Sequence, residues 1–151
     1  MSLGLLQRFV LIAGVFALAA CGGREKPQSS RSGDNMTSQS ARQCLAGLKS
    51  KSVRFAGLPS KSFDGGCRMI DTIKLMDFGM PTTNLGAMTC PLASSFTDWA
   101  RYGVAPAAKH YLSSEVVKIE TMGTFNCRAV NGSRSGKLSE HAFANAVDVS
   151  A

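Results

Sequence analysis

Histidine is scarce in this chain, with only His110 and His141 among 151 residues. A catalytic metal centre made of three imidazoles therefore lies beyond its own side chains. No two cysteines are spaced as C-x-x-C, which argues against a structural zinc cluster. Acidic side chains are outnumbered, 10 against 17 basic ones, yet the basic residues are spread along the chain and form no block. That distribution gives little support for nucleic-acid binding; it fits solvated surface, or unspecific attraction to acidic polymers and anionic lipid headgroups. There is no internal repeat and no strand-helix-strand rhythm, and the length suits a single domain.

Long apolar runs are also missing, except near the amino terminus. There Arg8 precedes an apolar stretch at residues 9–20 and then Cys21. This run falls short of the roughly 20 residues needed to span a bilayer, so it reads as the apolar part of a cleaved export signal. Leu18, Ala19, Ala20 and Cys21 resemble the lipobox of bacterial lipoproteins, in which the cysteine thiol takes up a diacylglycerol and becomes the new amino terminus. The resemblance implies a signal peptide over residues 1–20, lipidation at Cys21 and a membrane-anchored lipoprotein of the cell envelope. The absence of aspartate after Cys21 favours the periplasmic face of the outer membrane by similarity to lipoprotein sorting. Residues 21–40 are rich in Ser, Gly and charged side chains, with Met36 as the one large apolar residue after Cys21. Such a segment cannot bury enough apolar area to offset the entropy of ordering it, and reads as a flexible tether.

Four cysteines remain in the exported part, Cys44, Cys67, Cys90 and Cys127. Disulfides are the expectation in an oxidising compartment; four cysteines allow three connectivities, and a partner outside the chain is also open.

The domain itself is expected over residues 41–151. A helix is predicted at residues 41–49, a short extended piece at 53–55 and one or two strands within 67–78. Residues 81–84 read as turn material. Helical segments follow at 90–102 and 105–112, interrupted at Gly103 and Pro106, with Phe96 and Trp99 on one buried face. Strands are predicted at 116–120 and 124–130, and the NGSRSGK stretch as a loop. Helices first and strands later point to an α+β class.

The segment SEHAFANAVDVSA looks most like chemistry, with His141 and Asp148 seven positions apart. In one continuous strand that odd separation would put the two side chains on opposite faces, about 23 Å apart. A turn through residues 142–145 leading into a strand from 146 would instead let both reach one metal ion. The small residues Ala142, Ala144 and Ala146 make such a turn feasible. His110 sits on a predicted helix, where a surface role is the simpler reading.

Ser139, His141, Ala144, Ala146 and Asp148 resemble the first zinc motif of D-alanyl-D-alanine carboxypeptidases, S-x-H-x-x-G-x-A-x-D, with alanine in place of the glycine. That fold is shared with the hedgehog signalling domain. More of the chain, through GGC at Cys67, TCPLA at Cys90, Trp99, VAPAAKHYL, GTFNCR and the segment just described, resembles the bacterial extensin-like C-terminal domain family. The resemblance implies zinc held by His141 and Asp148, peptidoglycan peptides or another envelope polymer as partner, Arg128 contacting substrate, and Ser139 orienting the loop or touching substrate. It also implies a later His-x-His motif and an upstream glutamate base, which this sequence does not contain; Glu140 is not at the position of that base. With the chain ending three residues after Asp148, the expectation is an incomplete domain, inactive by itself.

Overall fold

A computed structural model describes residues 38–132 and 136–150. The expected export signal, the expected lipidation site Cys21, most of the expected tether and residues 133–135 of the NGSRSGK loop lie outside the described residues.

The first helix, α1 (Gln39–Ser50), starts two residues ahead of the sequence expectation, because the Ser38 side chain accepts a hydrogen bond from the Ala41 amide and caps it. A strand β1 (Arg54–Gly57) follows, then a hairpin of β2 (Lys61–Ser62) and β3 (Arg68–Met69), and β4 (Thr72–Asp77). Next come β5 (Thr82–Thr83), β6 (Ala87–Thr89), α2 (Cys90–Asp98), a π-helical turn (Trp99–Val104) and α3 (Ala105–Leu112). The chain closes with β7 (Ile119–Gly123) and β8 (Asp148–Val149). The class is α+β, although most strands lie between the first helix and the other two and do not follow all the helices.

One antiparallel sheet has the order β1-β4-β6; a second runs β5-β7-β8, with β5 parallel and β8 antiparallel to β7. Residues 82 and 83, expected as turn, are thus strand, pinned because Thr121 donates its hydroxyl to the Thr83 carbonyl. The expected strand at 124–130 is absent; only Ala129 pairs, as an isolated bridge to Leu138. Successive backbone groups there bond instead to the segment at 137–141.

The core gathers Leu48 from α1, Val53, Ile73 and Leu75 from the first sheet region, Phe78, Met88, and Ala93 and Phe96 from α2, with Ile119 from β7. Burial of such side chains contributes about 1.5–3 kcal/mol each relative to exposure. The helix pair does not break at Gly103: the chain stays helical through a π turn, and Pro106 stands in the first turn of α3, where no amide hydrogen is needed. That turn carries Arg101, whose guanidinium donates to the Phe78 and Lys51 carbonyls, both at 2.7 Å. Phe96 is buried as expected, whereas Trp99 packs on it with its ring centroid at 5.6 Å but remains 44% exposed.

All four domain cysteines pair within the chain, Cys44 with Cys90 and Cys67 with Cys127, so no outside partner is needed. The first bond ties α1 to the start of α2. The second ties the β2–β3 hairpin to the segment after β7. Among the described residues, no helix is long and apolar enough to cross a membrane.

Candidate functional site

Residues 139–145 form one tight turn. Ser139 caps it: the Ser139 hydroxyl accepts from the His141 amide at 3.4 Å, and the Ser139 carbonyl accepts from the Ala142 amide at 2.9 Å. The short 3-10 helix at Glu140–Phe143 ends on Ala144, which takes the left-handed conformation at φ 53°. That conformation crowds a β-carbon against the following carbonyl and favours glycine. The zinc motif that this segment resembles in sequence has glycine at this place, so the one departure from that pattern falls on the residue with the strained backbone. Ala142 and Ala144 are fully buried because the turn backs onto the body, where the Ala144 carbonyl accepts from the Thr89 amide at 2.9 Å. Asn145 completes the latch: its amide group donates to Glu140 at 2.9 Å and its carbonyl oxygen accepts from the Thr89 hydroxyl at 2.8 Å.

From this turn the chain runs into β8, where Asp148 pairs with Gly123 at the end of β7. His141 and Asp148 therefore meet at one corner. His141 Nε2 lies 3.3 Å from Asp148 Oδ2, and His141 Nδ1 lies 3.3 Å from the Thr124 carbonyl oxygen. A carbonyl can only accept, so this contact is a hydrogen bond when Nδ1 carries the proton, and the Nε2 lone pair then faces the carboxylate. A neutral imidazole would then aim a lone pair at an anionic oxygen. A cation bound between the two atoms would turn that repulsion into two coordinating contacts.

The geometry fits two donors of a metal set. Zinc to nitrogen and oxygen distances of about 2.0–2.2 Å at a tetrahedral angle place two donors about 3.4 Å apart, close to the observed separation. A backbone carbonyl holding the far nitrogen is the usual way a ligating imidazole is oriented. The His141 side chain is only 11% exposed, while that of Asp148 is 55% exposed, so the corner is open to solvent on the carboxylate side. Among the described residues, no group of three or more His, Cys, Asp and Glu is gathered as a metal set.

The other expected residues fall into two groups. Arg128 and Ser139 are brought together, since the Ser139 amide donates to the Arg128 carbonyl at 3.0 Å, and the Ala129–Leu138 bridge continues that short ladder. The Arg128 side chain is half-buried there. His110 stays on α3, exposed and edge-on to Tyr111. Glu140 is exposed and faces a cleft of about 390 Å³ that Asp71, Thr89 and Phe143 also line.

Three residues that position the site carry little signal in the sequence. Thr124 acts through its backbone carbonyl, which any residue could supply. Its placement depends on Gly86: a β-carbon there would lie 2.9 Å from the Thr124 hydroxyl, which bonds to the Ala87 carbonyl. Thr89 and Asn145 act across 56 positions of sequence, a partnership with no local pattern.

These features define a small, disulfide-braced α+β domain that presents a histidine and a carboxylate side by side on a capped turn. Residues 42–151 match the family model described as extensin-like protein C-terminus, and the chain belongs to that family. No curated protein and no solved structure matches the chain.

Proposed function

We propose that this chain is a cell-envelope lipoprotein, anchored through lipid on Cys21 at the outer membrane, whose extensin-like domain binds zinc and engages the peptides of peptidoglycan. The observation that carries the reading is the approach of His141 Nε2 to Asp148 Oδ2 at 3.3 Å, with Nδ1 committed to the Thr124 carbonyl. In this reading the two side chains hold the metal, which when bound supplies a Lewis acid toward a peptide carbonyl. Thr124 fixes the ring, and Ser139 fixes the turn that carries it. Arg128, on the ladder beside Ser139, supplies a planar cation suited to a peptide carboxylate. The resemblance to zinc D-alanyl-D-alanine carboxypeptidases supports the same assignment.

A second reading, a noncatalytic module that binds wall polymer, draws support from the donor count. A catalytic zinc takes three protein ligands, and no third donor joins the pair among the described residues. Both readings expect binding by this chain, and only the first expects turnover once a third donor is supplied. Incubating the full chain with zinc and wall peptides ending in D-alanyl-D-alanine tests them together. Binding without release of D-alanine is expected. Release of D-alanine by this chain would overturn the noncatalytic reading, and no binding with or without zinc would contradict both.

A further inference from the structure

Every contact that orients the His141 ring or the backbone of its turn from the β7 side comes from residues 124–128. The Thr124 carbonyl lies 3.3 Å from His141 Nδ1, the Asn126 amide donates to the His141 carbonyl at 3.1 Å, and the Arg128 carbonyl accepts from the Ser139 amide. This stretch has no strand partner of its own before the bridge at Ala129. It is held by the buried Thr124 side chain, by Phe125 against Phe63 with ring centroids 5.0 Å apart, and by the Cys67–Cys127 bond. The hairpin that carries Cys67 also supports the other side of the turn, through Arg68 placed 4.8 Å over the Phe143 ring. One covalent bond thus closes a bracket around the site.

The two disulfides differ in surroundings. Cys90 belongs to the apolar core and Cys44 packs against it. Cys127 is exposed, although its partner Cys67 is buried. Thiolate attack depends on access to a sulfur; Cys127 is exposed, whereas Cys44 is half-buried where it lines the cleft beside Glu140 and Cys90 is buried, so Cys127 is the more open point of entry.

We propose that Cys67–Cys127 is a redox clamp on the His141–Asp148 corner. Closed, it holds residues 124–128 against the turn; opened, it lets them move away while the body stays folded on its apolar core and on Cys44–Cys90. The opening reagent is a dithiol. One of its thiolates attacks the Cys127 sulfur, the bond between the two cysteines breaks, and Cys67 leaves as a thiolate that takes up a proton. The second thiol of the reagent then attacks the mixed disulfide, releasing Cys127 as a thiol and leaving the reagent oxidised by two electrons. The corner is assembled only where this disulfide forms, which ties metal capture to an oxidising compartment. That consequence for zinc rests on the reading of His141 and Asp148 as metal donors; the movement of the turn does not.

The test equilibrates the full chain with graded dithiothreitol, identifies free cysteines by alkylation and mass spectrometry, and measures hydrogen exchange and zinc affinity at each step. Cys67 and Cys127 are expected to become free before Cys44 and Cys90. Amides at 124–128 and 139–145 then lose protection while those of α1, β4 and α2 keep theirs, and zinc affinity falls roughly 10- to 100-fold, the usual cost of losing a group that orients a ligand. The double variant Cys67→Ser with Cys127→Ser is expected to reproduce the exchange pattern without reductant. Unchanged protection of 139–145 with the bond open, or prior opening of Cys44–Cys90, would overturn the clamp. Should the oxidised chain bind no zinc at all, the metal reading fails, and the exchange data still decide the clamp.

Discussion

Around Cys44–Cys90 the chain packs Leu48, Ile73, Met88 and Ala93 into a contiguous apolar core, whereas around Cys67–Cys127 it is held by single hydrogen bonds, one ring contact and the disulfide itself. The body gains stability from area removed from water, a force that is non-directional and tolerant of small shifts. The site segment gains geometry from directional bonds, each worth about 0.5–1.5 kcal/mol net, and a shift of a few tenths of an ångström there moves a functional atom. A change in the body is thus expected to act on the whole fold, and a change in the segment on the corner alone.

The largest expected effect lies in the body. Phe78 is buried against the edge of Phe96, with ring centroids 5.7 Å apart. Phe78→Ala is expected to cost about 3–5 kcal/mol by opening a cavity, lowering the urea midpoint for body and site segment together. Separate transitions for the two would break the comparison. Gly86→Ala tests the junction between the regions. Its new β-carbon meets the Thr124 hydroxyl at 2.9 Å, and that side chain is buried and bonded, so it cannot swing aside. A cost of about 1–3 kcal/mol is expected from overpacking, together with a displaced His141 imidazole signal in nitrogen-15 spectra. An unmoved signal would mean that Thr124 does not set the ring.

Ala144→Gly acts within the segment. Relief of the left-handed strain is worth about 1–2 kcal/mol, and the added freedom of glycine in the unfolded chain takes back about 0.5–1. A small gain in melting temperature is expected, and a marked loss would show that the buried methyl matters more than the strain. The smallest effect belongs to Asp77, whose carboxyl is held below its ordinary value by the Gly79 amide first and then by the Arg54 guanidinium. A depressed carboxylate contributes stability above the unfolded value near ~3.9 and loses it as pH falls through the depressed one. Asp77→Asn is therefore expected to flatten the acid side of the stability profile slightly, below about pH 4, leaving the corner unchanged.

The same contrast explains what the sequence makes legible. Helices α1 and α2 are legible from local periodicity, Cys44, Leu45 and Leu48 in one and Phe96 with Trp99 in the other, whereas the Ser38 cap that starts α1 two residues early is evident only in the structure. The pairing of the cysteines, the strand at residues 82 and 83 and the Thr89–Asn145 latch are decided by contacts between segments far apart in sequence, which no periodicity encodes. The spacing of Trp99 from Phe96 predicts one buried face; its ring does pack on Phe96 but stays 44% exposed at the start of the π turn. His141 and Asp148 were legible as chemistry from residue type and motif. Their approach was legible only as one of two alternatives, the turn through residues 142–145, because what fixes it is a left-handed alanine and a backbone carbonyl after β7, neither of which has a side-chain signature.

Zinc binding by the oxidised full chain, measured by calorimetry under non-chelating conditions beside His141→Ala and Asp148→Asn, tests the central claim most directly. One zinc per chain is expected, with affinity reduced by at least about tenfold in either variant. No binding by the unaltered chain, or equal binding by all three proteins, would contradict it.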